Sequence, residues 1–227
     1  MNLPQPQVNL ERIGREGEPL VTIDGFTGDV ERLRAWGANA HFEEAGADYP
    51  GLRAMADPSY LDLRRDLMMQ IVGQVFGCAQ SIRCEICAFS MVTQTHEELS
   101  IRQCIPHHDH SDKGRIAIMH YTQGPETGGT AFYRHRRTGF EAITPERERA
   151  FEAGLIEDQL EFGDPPLEYP YGDSERFEMI HEVEARPDRM VLYRGRLLHS
   201  GVIPDHEALS TEPLKGRLTL NLFLFGT

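Results

Sequence analysis

The chain carries Pro106-His107-His108-Asp109, a distant Leu198-His199-Ser200-Gly201, and then Gly216-Arg217-Leu218-Thr219. In extended backbone successive side chains point to opposite faces, so His107 and Asp109, two apart, project the same way and can grip one ion together. His199 is a candidate third ligand, because 189–193 and 197–203 read as strand-like apolar segments around a tight Arg194-Gly195-Arg196 turn. Two neutral imidazoles and one carboxylate on one face of an octahedron leave three positions open. That arrangement belongs to non-haem Fe(II) and oxygen chemistry.

Residues 215–225 alternate polar and apolar side chains well enough to form a strand, with Arg217, Thr219 and Asn221 on one face. A guanidinium fork binds a carboxylate through two parallel hydrogen bonds, and a neighbouring hydroxyl adds another. This suits the remote carboxylate of 2-oxoglutarate. His108 and His110 would face away from His107 and Asp109, and an H-x-H pair is how a cupin-type metal site often begins. Local sequence leaves both registers open.

The set His107-x-Asp109, Gly128-Gly129-Thr130-Ala131-Phe132, His199 and Arg217-x-Thr219 resembles the prolyl-4-hydroxylase-like branch of the 2-oxoglutarate/Fe(II) dioxygenases. The likeness spans roughly the last two-thirds of the chain, and Val21-Thr22-Ile23-Asp24-Gly25-Phe26 is similar to that family's first strand. The segment 128–135 is also similar to an uncharacterised bacterial group. The resemblance implies a double-stranded β-helix, or jelly-roll, with Fe(II) held by His107, Asp109 and His199 and 2-oxoglutarate held by Arg217. It implies oxidation of the keto acid to succinate and carbon dioxide, coupled most often to hydroxylation of a C–H bond in an amino acid, peptide or small metabolite. Desaturation, ring closure or demethylation would use the same ligands, whereas the retained Asp109 argues against halogenation. Two departures from the family stand out: a 204–214 loop lengthens the gap between His199 and Arg217, and the 140–186 stretch is long enough to carry substrate selectivity. Two rival readings remain, a cupin-like metalloenzyme needing no 2-oxoglutarate and a non-catalytic jelly-roll that binds a small molecule or protein.

These residues need a scaffold that is mainly β with flanking helices, read as one domain over 1–227 with helical support about 27–76 and an inserted helix-loop about 141–186. Residues 1–19 form a polar, extended lead-in, followed by a strand at 20–26 and a helix near 29–39 with Asp29 as N-cap. A loop covers 49–53. The apolar stripe Leu61, Leu67, Met68, Ile71 and Val75 makes 59–76 a helix packed on a sheet. Core strands are expected at 82–93, 99–105, 115–122, 130–133, 189–194, 197–203 and 216–225. Thr144-Pro145 opens a charged helix to about Leu160, and 163–173 is a loop. Gly128-Gly129 permits positive φ and close backbone approach, turning the chain into the strand at 130–133.

The remaining histidines carry less signal. His120 reads as a hydrogen-bonded residue of the sheet wall, and His135 as either lining a pocket for an anion or a solvated basic turn. His41, His96, His181 and His206 show no partner pattern and are expected on the surface or in loops. A net charge of −13 argues against nucleic acid or anionic membranes as partners, although arginines at 134–137 and 194–196 could supply a basic pocket. Cys84-x-x-Cys87 has no second pair at zinc spacing, so Cys78, Cys84, Cys87 and Cys104 are expected as free thiols in a reducing cytoplasm. No apolar run reaches membrane-spanning length, and the first residues lack the features of a secretory signal.

Overall fold

The computed structural model describes residues 4–46, 49–206 and 209–227. Its core is a jelly-roll of two facing antiparallel sheets. The larger sheet is built from β1 (Gln7–Ile13), β2 (Glu18–Asp24), β3 (Glu43–Glu44), β4 (Gly51–Met55), β5 (Ile82–Val92), β6 (Arg115–Tyr121), β9 (Arg189–Arg194) and β11 (Leu218–Gly226). They lie in the order β1-β2-β9-β6-β11-β5-β4-β3. The smaller sheet places β7 (Thr130–His135) between β10 (His199–Gly201) and β8 (Phe177–Val183).

The alternation read in β11 sorts its side chains as a two-residue period requires. Leu218, Leu220, Leu222 and Leu224 are buried in one cluster with Leu33 of α1 (Val30–Ala38) and Met68, Ile71 and Val72 of α2 (Arg65–Gln74). The helices therefore cover the outer face of the larger sheet. Arg217, Thr219, Asn221 and Phe223 are left to face the interior between the sheets. A second cluster fills that interior, with Leu20, Ala117, Tyr121, Phe132, Val191 and Tyr193. A third packs Phe151 of α3 (Glu148–Phe162) over Tyr133, Phe177 and Leu198 on the outside of the smaller sheet.

Several expectations hold at residue level. The Asp29 side chain accepts the Arg32 amide at 3.1 Å and caps α1. Gly128 has φ +74°, and a Cβ on Gly129 would collide with the Val183 carbonyl oxygen, so both glycines are required where the chain enters β7. The four cysteines are free. A bulge in β5 sets Cys84 and Cys87 opposite Leu224 and Leu222, so both pack on the outer cluster, and no group of three ligand-type side chains among the described residues includes them.

Other expectations are corrected. The 99–105 segment is not a strand: 96–98 and 101–104 are short 3-10 turns, each closed by a capping box in which Glu98 or Gln103 reaches back to its N-cap amide. Those local bonds outcompete ladder formation. Of the expected 49–53 loop only 49–50 is irregular, and β4 begins at Gly51, where a Cβ would run into the Met91 carbonyl. The polar lead-in contains β1, an exposed edge strand paired along its length with β2. The 59–76 helix is split into a 3-10 turn at 58–64 and then α2. Thr144-Pro145 forms a turn, and α3 starts at Glu148. The 197–203 strand shortens to β10, and the 141–186 insertion contributes β8, which closes the smaller sheet. No described helix is long and apolar enough to cross a membrane.

Candidate metal centre and its pocket

His107 and His199 are a reciprocally bonded antiparallel pair, His107 N donating to His199 O at 2.9 Å and His199 N to His107 O at 2.8 Å. That pairing sets the two imidazoles side by side, 4.5 Å between ring centroids. The His107 segment is an isolated bridge rather than a full strand, but the i, i+2 geometry survives because the Asp109 amide is tied to the Gly195 carbonyl at 2.7 Å. The tight turn at Gly195 lets Asp109 pack against it, 3.4 Å from the point where a Cβ would sit.

The ligand atoms of His107, Asp109 and His199 lie within 4.8 Å of one another, the single such group of three among the described residues. His199 Nδ1 is 2.8 Å from the Leu197 carbonyl, an acceptor only, so Nδ1 carries the proton and Nε2 presents its lone pair. That lone pair faces an Asp109 oxygen 3.6 Å away, and His107 Nε2 lies 3.8 Å from the other oxygen. Burial lowers the His199 pKa to about 4, keeping it a neutral donor, and burial raises the Asp109 pKa. The lone pair of a buried imidazole facing a carboxylate is unfavourable unless a cation lies between them. His199 is held edge-on by Tyr193, centroids 4.8 Å apart.

The group opens into a cavity of about 560 Å³ that also reaches Arg217, Asn221, Arg53, Tyr49, Met119, Tyr169 and Phe223. Arg217 is 6 % exposed, and its fork donates from Nε to the Thr127 carbonyl and from one terminal nitrogen to the Gly129 carbonyl, both at 2.9 Å. No described carboxylate pairs with it. Thr219 is buried one step along the strand with its hydroxyl 3.4 Å from the Ser90 carbonyl, and it does not line the cavity wall. His108 and His110 both line the cavity, and His110 Nδ1 accepts the Asp112 amide. No third ligand-type side chain converges with these two among the described residues.

Several polar groups here escaped sequence reading. The hydroxyls of Tyr49 and Ser90 and Nε of Arg53 are buried without hydrogen-bond partners among the described residues, as is Oδ1 of Asn221, whose inward face the alternation had shown. Their signal was faint: Ser90 and Arg53 sit on strands whose inward register follows only from pairing with Thr219 and with each other. The arginines at 134–137 and 194–196, which could have supplied a basic pocket, are committed elsewhere. Arg134 pairs with Glu141 and Glu178, Arg136 with Asp173, Arg137 with Asp158 and Glu161, and Arg194 and Arg196 with Glu18.

His135 neither lines a pocket nor sits in a solvated turn. It is fully buried between Asp158 and Thr138, both at 2.8 Å, fastening α3 to β7. His120 is the expected wall histidine, fully buried and 3.0 Å from Asp188. Asp188 in turn accepts the Thr27 and Gly28 amides. His96 and His206 do have partners, since their rings stack at 3.4 Å. His181 pairs with Glu11, and His41 is exposed beside Glu43.

Among solved structures, HygX from Streptomyces hygroscopicus with nickel, 2-oxoglutarate and hygromycin B bound matches with TM-score 0.50 at 17 % identity, covering 92 % of this chain and 83 % of that one. The non-heme alpha-ketoglutarate-dependent epimerase SnoN from nogalamycin biosynthesis gives TM-score 0.49 at 16 % identity, over 95 % and 79 % of the two chains. The viral collagen prolyl hydroxylase vCPH from Paramecium Bursaria Chlorella virus-1, in its 2-oxoglutarate complex, gives 0.49 at 10 % identity over 93 % and 98 %. At these identities the likeness is one of fold, and it singles out no branch. No curated protein matches the sequence. The sequence profile of a family of unknown function, DUF6445, covers residues 4–224, and this chain belongs to that family.

Proposed function

We propose that this chain is a single-domain non-haem Fe(II)/2-oxoglutarate-dependent oxygenase that hydroxylates a C–H bond of a small molecule or peptide. In this reading His107, Asp109 and His199 hold the metal, and Arg217, with Thr219 behind it, holds the remote carboxylate of the keto acid. The observation that carries it is Arg217: a guanidinium 6 % exposed, without a described carboxylate partner, in the same cavity as three converging ligand groups. A buried charge of this kind is costly unless an anion meets it.

The donor set fits the pair of groups. Two imidazoles and one carboxylate match non-haem iron, and Tyr49 lines the same cavity as Arg217. Fe(II) with 2-oxoglutarate and dioxygen would supply oxidation of a substrate C–H bond with release of succinate and carbon dioxide. The chain's own part is positioning. The Leu197 carbonyl fixes the His199 tautomer, Tyr193 fixes its ring plane, and the Thr127 and Gly129 carbonyls aim the open edge of Arg217 into the cavity. Ile86, Ala117, Met119 and Phe223 give the cavity an apolar wall that limits water beside the reacting groups. The HygX complex with nickel and 2-oxoglutarate is consistent with this assignment. The free thiols accord with a reducing cytoplasm.

The test is succinate formation from 2-oxoglutarate in air, without added substrate, by protein reconstituted with Fe(II). Slow, iron-dependent turnover that disappears in His199→Ala is expected. An iron-loaded protein that forms no succinate would move the assignment to the cupin-like or binding-protein reading.

A further inference from the structure

We infer that Arg53 is a second anion-binding position in this cavity and that the substrate oxidised there carries a carboxylate or phosphate group. The inference rests on the assignment of metal and keto acid above. Arg53 lies on β4 opposite Ser90, which lies opposite Thr219, so all three point into the sandwich on one rung of the sheet. Its guanidinium stacks over the Tyr49 ring at 4.4 Å, which fixes the plane of the fork. Its Nε is buried with no hydrogen-bond partner among the described residues, and no described carboxylate forms an ion pair with it.

The other cavity arginines are accounted for. Arg115 is bridged to Glu85, Arg102 is exposed at the rim, and Arg217 is assigned to the keto acid. Among the described residues, Asp109 is the only carboxylate lining the cavity. The charges of Fe(II) and Arg217 together balance Asp109 and the two carboxylates of 2-oxoglutarate. Among the described cavity residues, half-buried Arg53 is then the charge left over, in a chain whose net charge is −13. A fork held flat on an aromatic ring, with no ion pair to a described carboxylate, is suited to a carboxylate or phosphate, which accepts two parallel N–H bonds. A neutral substrate would leave the charge unmatched.

The experiment uses full-length protein loaded with Mn(II) and the unreactive keto-acid analogue N-oxalylglycine, as wild type, Arg53→Gln and Arg53→Lys. Paramagnetic relaxation of inorganic phosphate (³¹P) and of labelled acetate (¹³C) reads anion approach to the metal, and comparing the two separates phosphate from carboxylate recognition. Wild type is expected to relax at least one anion well above a metal-free control. Arg53→Gln is expected to weaken that binding about tenfold or more at unchanged Mn(II) and N-oxalylglycine affinity, with Arg53→Lys intermediate. Equal relaxation in wild type and Arg53→Gln, or none in wild type, overturns the inference. A tenfold loss of N-oxalylglycine affinity in Arg53→Gln also overturns it, by assigning Arg53 to the keto acid. Failure of wild type to take up Mn(II) and N-oxalylglycine at all would instead bring down the reading on which the inference stands.

Discussion

Replacing Arg217 by Lys separates its charge from its geometry. The native fork spends Nε on the Thr127 carbonyl and one terminal nitrogen on the Gly129 carbonyl, both at 2.9 Å, which leaves its remaining N–H groups for a ligand. A lysine ammonium is a point donor that cannot serve two carbonyls and both oxygens of a carboxylate together. Loss of a charge-assisted hydrogen bond costs about 1.5–3 kcal/mol, so the dissociation constant for 2-oxoglutarate is expected to rise about 10- to 150-fold. The carbonyl left dry costs a further ~1–3 kcal/mol of folding stability. Isothermal titration of 2-oxoglutarate into anaerobic, Mn(II)-loaded protein measures the first effect, and thermal unfolding the second. An unchanged dissociation constant in a folded variant would refute Arg217 as the carboxylate anchor. A parallel loss of Mn(II) affinity would show that the substitution acts through the three converging ligands instead.

Four further outcomes follow from the packing. Asp188→Ala strips the fully buried His120 of its partner and the Thr27 and Gly28 amides of their acceptor, and is expected to cost about 3–5 kcal/mol in denaturant unfolding. Burial opposes the Asp188 charge, but hydrogen bonds from His120 and Thr27 hold its pKa below the usual value. Its contribution is therefore present above the unfolded carboxylate pKa of about 3.9 and is lost as pH falls through the lower folded value, so wild type and Asp188→Asn are expected to converge in stability in that acidic range. Burial, only partly offset by Asp158, lowers the His135 pKa. The native state thus prefers the neutral ring, and stability present above an unfolded pKa of about 6.5 is expected to fall as pH drops from 7 toward 5, with a shallower slope in His135→Gln. Gly129→Ala drives a methyl into the Val183 carbonyl and is expected to lower the melting temperature and weaken 2-oxoglutarate binding together, because Gly129 O also aims Arg217; an unaffected binding constant would show that the two are uncoupled.

Legibility in the sequence followed the strength of the local pattern. β11 could be read because its leucines alternate with Arg217, Thr219 and Asn221 over a full strand. The His107, Asp109 and His199 group could be read because an i, i+2 pair needs only extended backbone, wherever its bridging partner lies. β1 and β4 were missed as strands because they sit at or near the edge and carry few buried side chains, leaving no core face to write a two-residue period. The 96–104 turns looked extended because their capping boxes use polar residues that also suit loops. His135 was misplaced because its partner Asp158 lies on a helix 23 residues away, a contact made only in the folded chain. Arg53, Tyr49 and Ser90 were invisible for the same reason, since inward register on β4 and β5 is set by pairing with β11.

The most direct test of the central claim is anaerobic titration of Fe(II)-loaded protein with 2-oxoglutarate, following the visible charge-transfer band of a chelated keto acid, in wild type, His199→Ala and His108→Ala. A band in wild type and His108→Ala that is absent in His199→Ala is the predicted result. A band that survives in His199→Ala, or none in wild type with iron bound, would contradict the account.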